Sequence, residues 1–462
     1  MSQKFDVAII GGGPAGIFAA YELVQKKPSL QVVMIEAGAD IYTRKCPIAQ
    51  KKVSHCIGCV PCGIMRGFGG AGAYSDGKYN FTTEFGGWLQ EYLPDQDVLD
   101  LIDYVDQINL SYGAPTEFFS THNSRLRKLA LSSDLHLLQA KVRHLGTENN
   151  LRIMQEIYEH LKTRITLLFN CQVVEICPQK PGFSLKLKGK DVPASLEAAY
   201  LIAAPGRAGS EWFSGQCKGL GLGLYNNQVD VGVRIEIPAE VFQHITDEVY
   251  EAKLVYRTKQ YGDLVRTFCM NPNGYVVTEN TDGIITVNGH SYRDEKLHSR
   301  NTNFALLVSN RFTHPFNEPH QYGKRIASFS NMLGGGVLVQ RFGDLIKGRR
   351  TNEHRLVQSF TKPTLQATPG DLSLVLPKRH LDNIVEMIYA LEKIAPGMAN
   401  DDTLLYGVEV KFYSSRLKLT NELETEISDM FAVGDGAGVT RGLAQASASG
   451  VHVARIIGER IK

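Results

Sequence analysis

The sequence predicts an α/β chain: a discontinuous Rossmann-like dinucleotide-binding domain with a helical insertion and a β-rich substrate or cap domain. Three observations predict it. An apolar run, FDVAII, enters a glycine turn and an alanine-rich helix within the first 27 residues. A second apolar strand, QVVMIEAG, then ends in an acid. Far downstream, after a long stretch of short β-type segments, MFAVGDGAG opens a helix rich in small residues. The 462 residues, 43% apolar and 21% charged, suffice for two or three cored domains.

The first motif carries the most chemistry. In GGGPAG, Gly11 makes the turn, Gly13 lets the backbone approach a pyrophosphate and Gly16 lets helix pack on strand. Pro14 and Ala15 open the helix, whose N-terminus supplies N–H groups and partial positive charge to a phosphate. Glu36 follows Gly16 by twenty residues, where a carboxylate can accept the ribose hydroxyls of an adenine dinucleotide, with Ala37 beside it.

The C-terminal motif decides the cofactor. Gly434 and Asp435 end a short strand, so Asp435 can meet a ribityl hydroxyl while Gly442, Leu443 and Ala444 begin a helix that faces a pyrophosphate or a flavin carbonyl. This resembles the late motif of the two-dinucleotide-fold flavoproteins, the superfamily of glutathione reductase and p-hydroxybenzoate hydroxylase, and implies FAD. YLIAAPGRAGS is similar to their middle motif, with Ala204 and Gly206 as contacts; Pro205 replaces the usual threonine and removes an N–H and a hydroxyl. The resemblance also implies a backbone contact from Val173, where TLLFNCQVVEI returns beside the adenine.

Between the first and middle motifs lies GIMRGFGGAGAYSDGKYN. Glycines at 67, 69, 70, 72 and 77 let a backbone lie flat against a planar ring. Gly70 and Ala71 would make that approach, and Ser75, Asp76 and Lys78 are spaced to offer hydrogen bonds and charge, Lys78 suiting the pyrimidine edge of a reduced flavin. CPI, CIGCVPC, GFGGAGAYSDGK, VDVGVRIEI, RTFCMNPNG, VNGHSY, QRFGD, YGVEVKFY and FAVGDGAG together resemble the bacterial family known only as uncharacterised FAD-dependent dehydrogenases, over essentially the full chain. That resemblance implies a flavoprotein and leaves its substrate open.

These motifs place the FAD-binding domain at residues 1–92, 163–225 and 400–462. Residues 93–162 read mainly as a helical insertion, from the apolar spacing of DVLDLIDYVDQI and NLRIMQEIYEHL. Residues 226–399 read as the β-rich domain, from VDVGVRIEI, KLVYR, LVRTFCM, YVVTE, IITVNG and FALLV. No second strand, GxGxxG and acid set occurs: KGLGLGL has glycines but no preceding apolar strand. The electron partner is therefore expected to be a transiently bound NAD(P)H or a protein carrier.

CPIAQKKVSHCIGCVPC concentrates Cys46, Cys56, Cys59 and Cys62 in seventeen residues. The spacing is similar to ferredoxin-type sequences in which three close cysteines and a Cys-Pro hold a [4Fe–4S] cluster. A flavin-coupled dithiol, a structural zinc and a purely structural role remain the other readings. Cys171, Cys177, Cys217 and Cys269 are scattered singly, as small core residues are.

The net charge of +2 gives no global case for nucleic acid or an anionic membrane, and the run KGRRTNEHR reads as a solvated face. The N-terminus lacks the pattern of a secretory signal and no window holds the roughly 18 apolar residues of a membrane span, so a cytoplasmic location is expected. The leading reading is an FAD-dependent oxidoreductase of an unidentified organic substrate, with the cysteines as a relay or second redox site near the flavin. Asp76, Lys78, His290 and Arg441 are its catalytic candidates, and Tyr74, Arg266, Asn288 and Tyr292 are further pocket candidates. An FAD-dependent tRNA-modifying protein and a flavin sensor without turnover are the alternatives; the basic, aromatic-interleaved patches that RNA would need are not found.

Overall fold

A computed structural model describes residues 3–461 except 48–49, 51, 54–56, 58, 60, 250, 282, 293–294, 314, 317 and 412–414. The chain divides into two compact units, residues 1–118, 141–227 and 413–462, and residues 119–140 and 228–412.

In chain order the elements that matter here are β1 (Gln3–Ile10), α1 (Pro14–Lys26), β2 (Val32–Ile35), β3 (Lys78–Phe81), α2 (Asp95–Ser111), β4 (Leu135–Leu137), β5 (Lys141–His144), α3 (Thr147–Leu161), β6 (Thr166–Leu168), β7 (Cys171–Pro178), β8 (Phe183–Gly189), β9 (Ser195–Ala203) and α4 (Gly206–Gly219). There follow β10 (Val229–Pro238), β11 (Leu254–Arg257), β12 (Leu264–Asn271), β13 (Tyr275–Thr281), β14 (Ile284–His290), β15 (Asn301–Asn310), α5 (Pro319–Gly334), β16 (Leu338–Arg341), α6 (Lys378–Glu392), β17 (Leu404–Lys411), β18 (Met430–Ala432) and α7 (Leu443–Arg460).

The first unit is built on a sheet of order β6-β2-β1-β9-β8-β7, with β18 beside the end of β9. β1 runs parallel to both β2 and β9, pairing Ile10 with Ile35 on one side and with Ala203 on the other. FDVAII forms this central strand because its apolar residues have core on both faces: Val7, Ala8 and Ile9 are fully buried. α1 is packed by α7, and the small residues of LAQASASG make that possible. A Cβ on Gly450 would stand 2.0 Å from the Ala15 carbonyl oxygen, so only glycine allows the two helices so close.

The second unit carries an antiparallel sheet whose inner order is β16-β17-β10-β15-β12-β11-β4, and a separate β13–β14 hairpin. β10 alternates strictly. Val229, Val231, Val233, Ile235 and Ile237 enter an apolar core with α5 and α6 residues such as Ile326, Ile384 and Met387, while the residues between them take the other face.

The domain bounds differ from the sequence expectation at two places. Residues 404–411 are not part of the segment expected to bind FAD from residue 400 onward: β17 pairs with β10 and β16 inside the second unit, and the chain returns to the first unit only afterwards. Residues 119–140 leave the expected helical insertion for the second unit because β4 adds to β11. What remains of the insertion, α2 and α3 with β5, belongs to the first unit, and β5 pairs with β3. The β-rich segment also includes helices, α5 and α6. Among the described residues, no helix is long and apolar enough to cross a membrane.

Candidate functional site

The carboxyl ends of β1, β9 and β18 meet at one edge of the first unit's sheet, where the strand order departs in both directions from β1. Gly11 turns out of β1 with φ +107°, and a Cβ there would lie 2.1 Å from the Ala204 carbonyl. A Cβ on Gly16 would lie 2.0 Å from the Gly11 carbonyl. Gly13 differs: among the described residues nothing lies within 4 Å of its Cβ position, which leaves space for a ligand over the start of α1. Pro14 begins α1 at a position whose N–H has no helical partner anyway, and Ala15 is buried behind it.

Glu36 lies at the end of β2, nearly buried. Its Oε2 accepts the Gly12 N–H at 2.7 Å, and its Oε1 accepts those of Gly38 at 2.7 Å and Gly67 at 2.9 Å. The acid expected to read a ribose therefore also ties the first glycine turn to the second. Ala37 is half-buried beside it, and Val173 is buried on β7, opposite Leu187 of β8.

The second glycine loop lies on the first. Gly69 N donates to the Gly12 carbonyl at 2.7 Å; a Cβ on Gly70 would reach Gly13 Cα at 3.1 Å, and one on Gly72 would reach Leu443 Cδ2 at 2.8 Å. Gly70 and Ala71 thus stand between the turn after β1 and the start of α7. Ser75 is used differently from expectation: its hydroxyl donates to the Gly72 carbonyl at 2.7 Å and accepts from Gly77 N, closing its own loop. Asn150 of α3, which sequence reasoning missed, pins this loop by donating to the carbonyls of Gly72, Ser75 and Ala73.

Asp76 and Lys78 form a pair at 3.1 Å, and His144 adds its Nε2 3.5 Å from the same carboxylate. The pairing of Lys78 with His144 across β3 and β5 brings the histidine there, a long-range register that no local motif announces. Burial pushes the Asp76 carboxyl up, but Lys78 and His144 outweigh it and hold it well below the ordinary carboxylate range.

Gly434, at φ +76°, leads from β18 into Asp435, whose Oδ1 accepts from the Thr440 hydroxyl at 2.8 Å. A Cβ on Gly436 would lie 2.3 Å from the Gly206 carbonyl, so the middle and late motifs touch. Pro205, the departure from the superfamily pattern, stands at the start of α4 with φ −68°, which proline's ring favours. Gly442 caps α7, with Leu443 half-buried and Ala444 buried in its first turn. Arg441 donates its backbone N–H to Gly86, and its guanidinium lies 5.3 Å from the Trp88 ring centroid.

Arg266, Asn288, His290 and Tyr292 belong to the second unit. Arg266 pairs with Asp230 at 2.5 Å. Asn288 donates to Glu279 at 2.7 Å, and the His290 ring stands edge-on to Tyr292, 4.7 Å between centroids. Tyr74, of the first unit, carries the Arg44 guanidinium 4.7 Å from its ring centroid.

Of the four clustered cysteines, Cys56 lies outside the described residues. Cys46 and Cys62 are half-buried and Cys59 is exposed. Among the described residues, no group of three or more His, Cys, Asp or Glu side chains is arranged to hold a metal ion. The stretch is closed at its base, however. A Cβ on Gly63 would lie 2.2 Å from the Lys45 carbonyl, and Arg44 donates to the carbonyls of Gly63, Ile64 and Phe68 at 3.0, 2.8 and 2.6 Å.

Comparison with known families bears on this geometry. Residues 228–412 match the model described as FAD-dependent protein, C-terminal domain-like, and residues 6–46 match that of lycopene cyclase protein. The second unit is therefore similar to the C-terminal domain of FAD-dependent proteins. Solved structures similar to this chain include the OxyS anhydrotetracycline hydroxylase from Streptomyces rimosus, at 11% identity and TM-score 0.39, covering 99% of this chain and 62% of OxyS. They also include the E. coli quinol fumarate reductase FrdA, at 14% identity and TM-score 0.41, covering 100% of this chain and 71% of that one. The glycine oxidase from Geobacillus kaustophilus is similar at 12% identity and TM-score 0.40, covering 100% and 96%. No curated protein sequence matches the chain.

Proposed function

We propose that the chain is an oxidoreductase that binds FAD along the edge formed by β1, β9 and β18 and exchanges electrons between it and a small organic substrate. The observation that carries the assignment is the open space at Gly13, enclosed by two glycine loops that share Glu36. Glycine is used there to clear a path, since a side chain on Gly70 or Gly72 would meet the turn after β1 or the start of α7.

In this reading Gly11, Gly13, Pro14, Ala15 and Gly16 face the pyrophosphate, Glu36 and Ala37 the adenosine ribose, and Val173 the adenine. Gly70, Ala71, Ser75, Asp76 and Lys78 border the flavin ring, with Ala204, Gly206, Gly434, Asp435, Gly442, Leu443 and Ala444 along the remainder. Bound there, FAD supplies a ring that accepts and returns two electrons. The chain's own contribution is charge and orientation: Asp76 holds the Lys78 ammonium in place, and the α7 N-terminus offers unpaired N–H groups.

The four cysteines are proposed as a [4Fe–4S] relay, with a dithiol and zinc as the competing chemistries, and NAD(P)H or a protein carrier as the electron partner in the cytoplasm. Anaerobic purification with flavin, iron, sulfide and zinc analysis tests both parts. One FAD and four iron per chain are expected. Protein that binds no FAD from a saturating solution would overturn the cofactor assignment, and FAD-loaded, iron-free protein would overturn the relay.

A further inference from the structure

One stretch of the second unit concentrates cations. From Ser120 to Ser133 the chain carries His122, Arg125, Arg127 and Lys128 and no acid. Its helix, Ser124–Leu131, has no acidic residue in the first turn and places Arg125 and Arg127 there, where a cation opposes the helix dipole. The neighbouring carboxylates are spent on other groups. Asp134, the next acid along the chain, pairs with Lys259 at 3.0 Å, and Glu248 takes Arg125 and the Asn123 amide. Among the described residues, the side chains of His122, Arg127 and Lys128 have no hydrogen-bond or ion-pair partner. Arg127 is thus left unpaired where the helix itself disfavours a cation, a local conflict of the kind that marks functional sites.

The fold turns these residues onto two walls. Leu126 and Ala130 are buried in the second unit's core, which leaves positions 124, 127, 128 and 131 together on the opposite face of the helix. Thr121 fixes the other wall. Its N–H donates to the Ala140 carbonyl at 2.9 Å and its hydroxyl to the Leu138 carbonyl at 3.1 Å, while the hydroxyl accepts the Ala140 N–H at 2.7 Å. His122 is thereby held beside Gln139. The two walls line a cavity of about 540 Å³, with His122, Ser124, Arg127, Lys128, Leu131 and Gln139 around it. Asn123, at its edge, is already occupied: its Oδ1 caps the helix by accepting the Leu126 N–H at 2.9 Å, and its Nδ2 goes to Glu248. The attraction for an anion therefore comes from side chains on the helix face and not from the helix end.

We infer that this cavity binds a small organic phosphate, its phosphoryl group held by Arg127, Lys128 and His122 and its organic body lying against Leu131. The lining supplies guanidinium, ammonium, imidazole and hydroxyl donors and no carboxylate. A phosphate monoester answers it with about −1.5 to −2 charges near neutral pH and three strong acceptor oxygens, and the guanidinium can take two of those oxygens at once. The volume falls in the range of about 300–1,000 Å³ usual for small-molecule sites, so a phosphate with no organic body would leave most of it unfilled. The site belongs to the second unit alone, and the inference does not depend on where FAD binds.

Phenyl phosphate is the probe, titrated by calorimetry into the full chain as purified and after saturation with FAD. Saturable binding is expected with the same dissociation constant in both states, at least fivefold tighter than inorganic phosphate and at least tenfold tighter than phenol. R127Q/K128Q is expected to weaken phenyl phosphate at least tenfold at unchanged melting temperature, since neither side chain holds another described part of the fold. No saturable phenyl phosphate binding, binding that FAD abolishes, inorganic phosphate binding as tightly, or R127Q/K128Q binding like the parent would each overturn the site. A uridine oligonucleotide that binds where phenyl phosphate does not would overturn it in favour of an extended polyanion. The comparison of phenyl phosphate with phenol needs no variant, so a misfolded mutant does not blunt it. FAD content measured on the same samples reports on the flavoenzyme reading separately.

Discussion

Glu36 is the strongest single lever on the proposed cofactor site, and its substitution by glutamine can be followed atom by atom. The carboxylate accepts three backbone N–H groups, from Gly12 on one oxygen and from Gly38 and Gly67 on the other. A glutamine can keep its oxygen on Gly38 and Gly67, but its amide NH2 then faces the Gly12 N–H at 2.7 Å, donor against donor. Flipping the amide abandons two bonds instead of one. One orphaned buried N–H costs about 1–3 kcal/mol. The two surviving bonds lose their charge assistance and about half their strength. The sum is about 3 kcal/mol, spent where the two glycine loops meet. E36Q apoprotein should melt several degrees below the parent, and its FAD dissociation constant should rise more than tenfold in a fluorescence titration. E36Q that melts within a degree of the parent and binds FAD equally would refute the claim that Glu36 joins the loops.

Three further outcomes follow from packing and burial. His380, at the start of α6, is buried and both ring nitrogens lack a hydrogen-bond partner among the described residues, and burial pulls its pKa down to about 4. Because the unfolded imidazole titrates near 6.5, stability is retained above that pH and falls as pH drops toward 4, by about 2 kcal/mol between pH 7 and 5; urea melts should show H380L losing this slope. G450A puts a methyl 2.0 Å from the Ala15 carbonyl and should destabilise the first unit by about 2–3 kcal/mol, read as a lower melting temperature with weakened FAD retention. N150L removes the amide that holds the Gly72, Ala73 and Ser75 carbonyls and should cost about 2–3 kcal/mol, with faster proteolysis near residues 67–77.

How much of this was legible in the sequence depended on whether the physics was local. The turn after β1, its helix and Glu36 could be read because strand, glycine turn and helix N-terminus are adjacent in the chain and each residue type is required where it stands. The alternation of β10 was legible for the same reason. The membership of β17 was not: LLYGVEVK borders the late motif in sequence, but its partners are β10 and β16, far upstream. His144 and Asn150 had no signal either, because one reaches Asp76 through the β3–β5 register and the other reaches the glycine loop from α3. Arg44 falls between motifs and belongs to neither, although it staples the base of the cysteine stretch to the second glycine loop.

That staple decides what the cysteines can and cannot be doing for the fold. In small metal domains the cluster itself closes the loop, so removing metal unfolds the protein. Here the ends of the stretch already meet: Lys45 and Gly63 are in backbone contact, and three Arg44 hydrogen bonds hold carbonyls from Gly63 to Phe68. Closing a loop of this length costs about 3 kcal/mol of chain entropy, and the stem meets that cost without a metal. Any cluster bound by Cys46, Cys59 and Cys62 with Cys56 would therefore stabilise the stretch itself and little else. C59S should lose the iron yet keep FAD and a melting temperature within about two degrees of the parent, whereas R44M should loosen the stem and lower both iron and FAD occupancy. If C59S instead loses FAD along with iron, metal and not Arg44 closes the loop, and the separation of cofactor site from cysteine stretch is wrong.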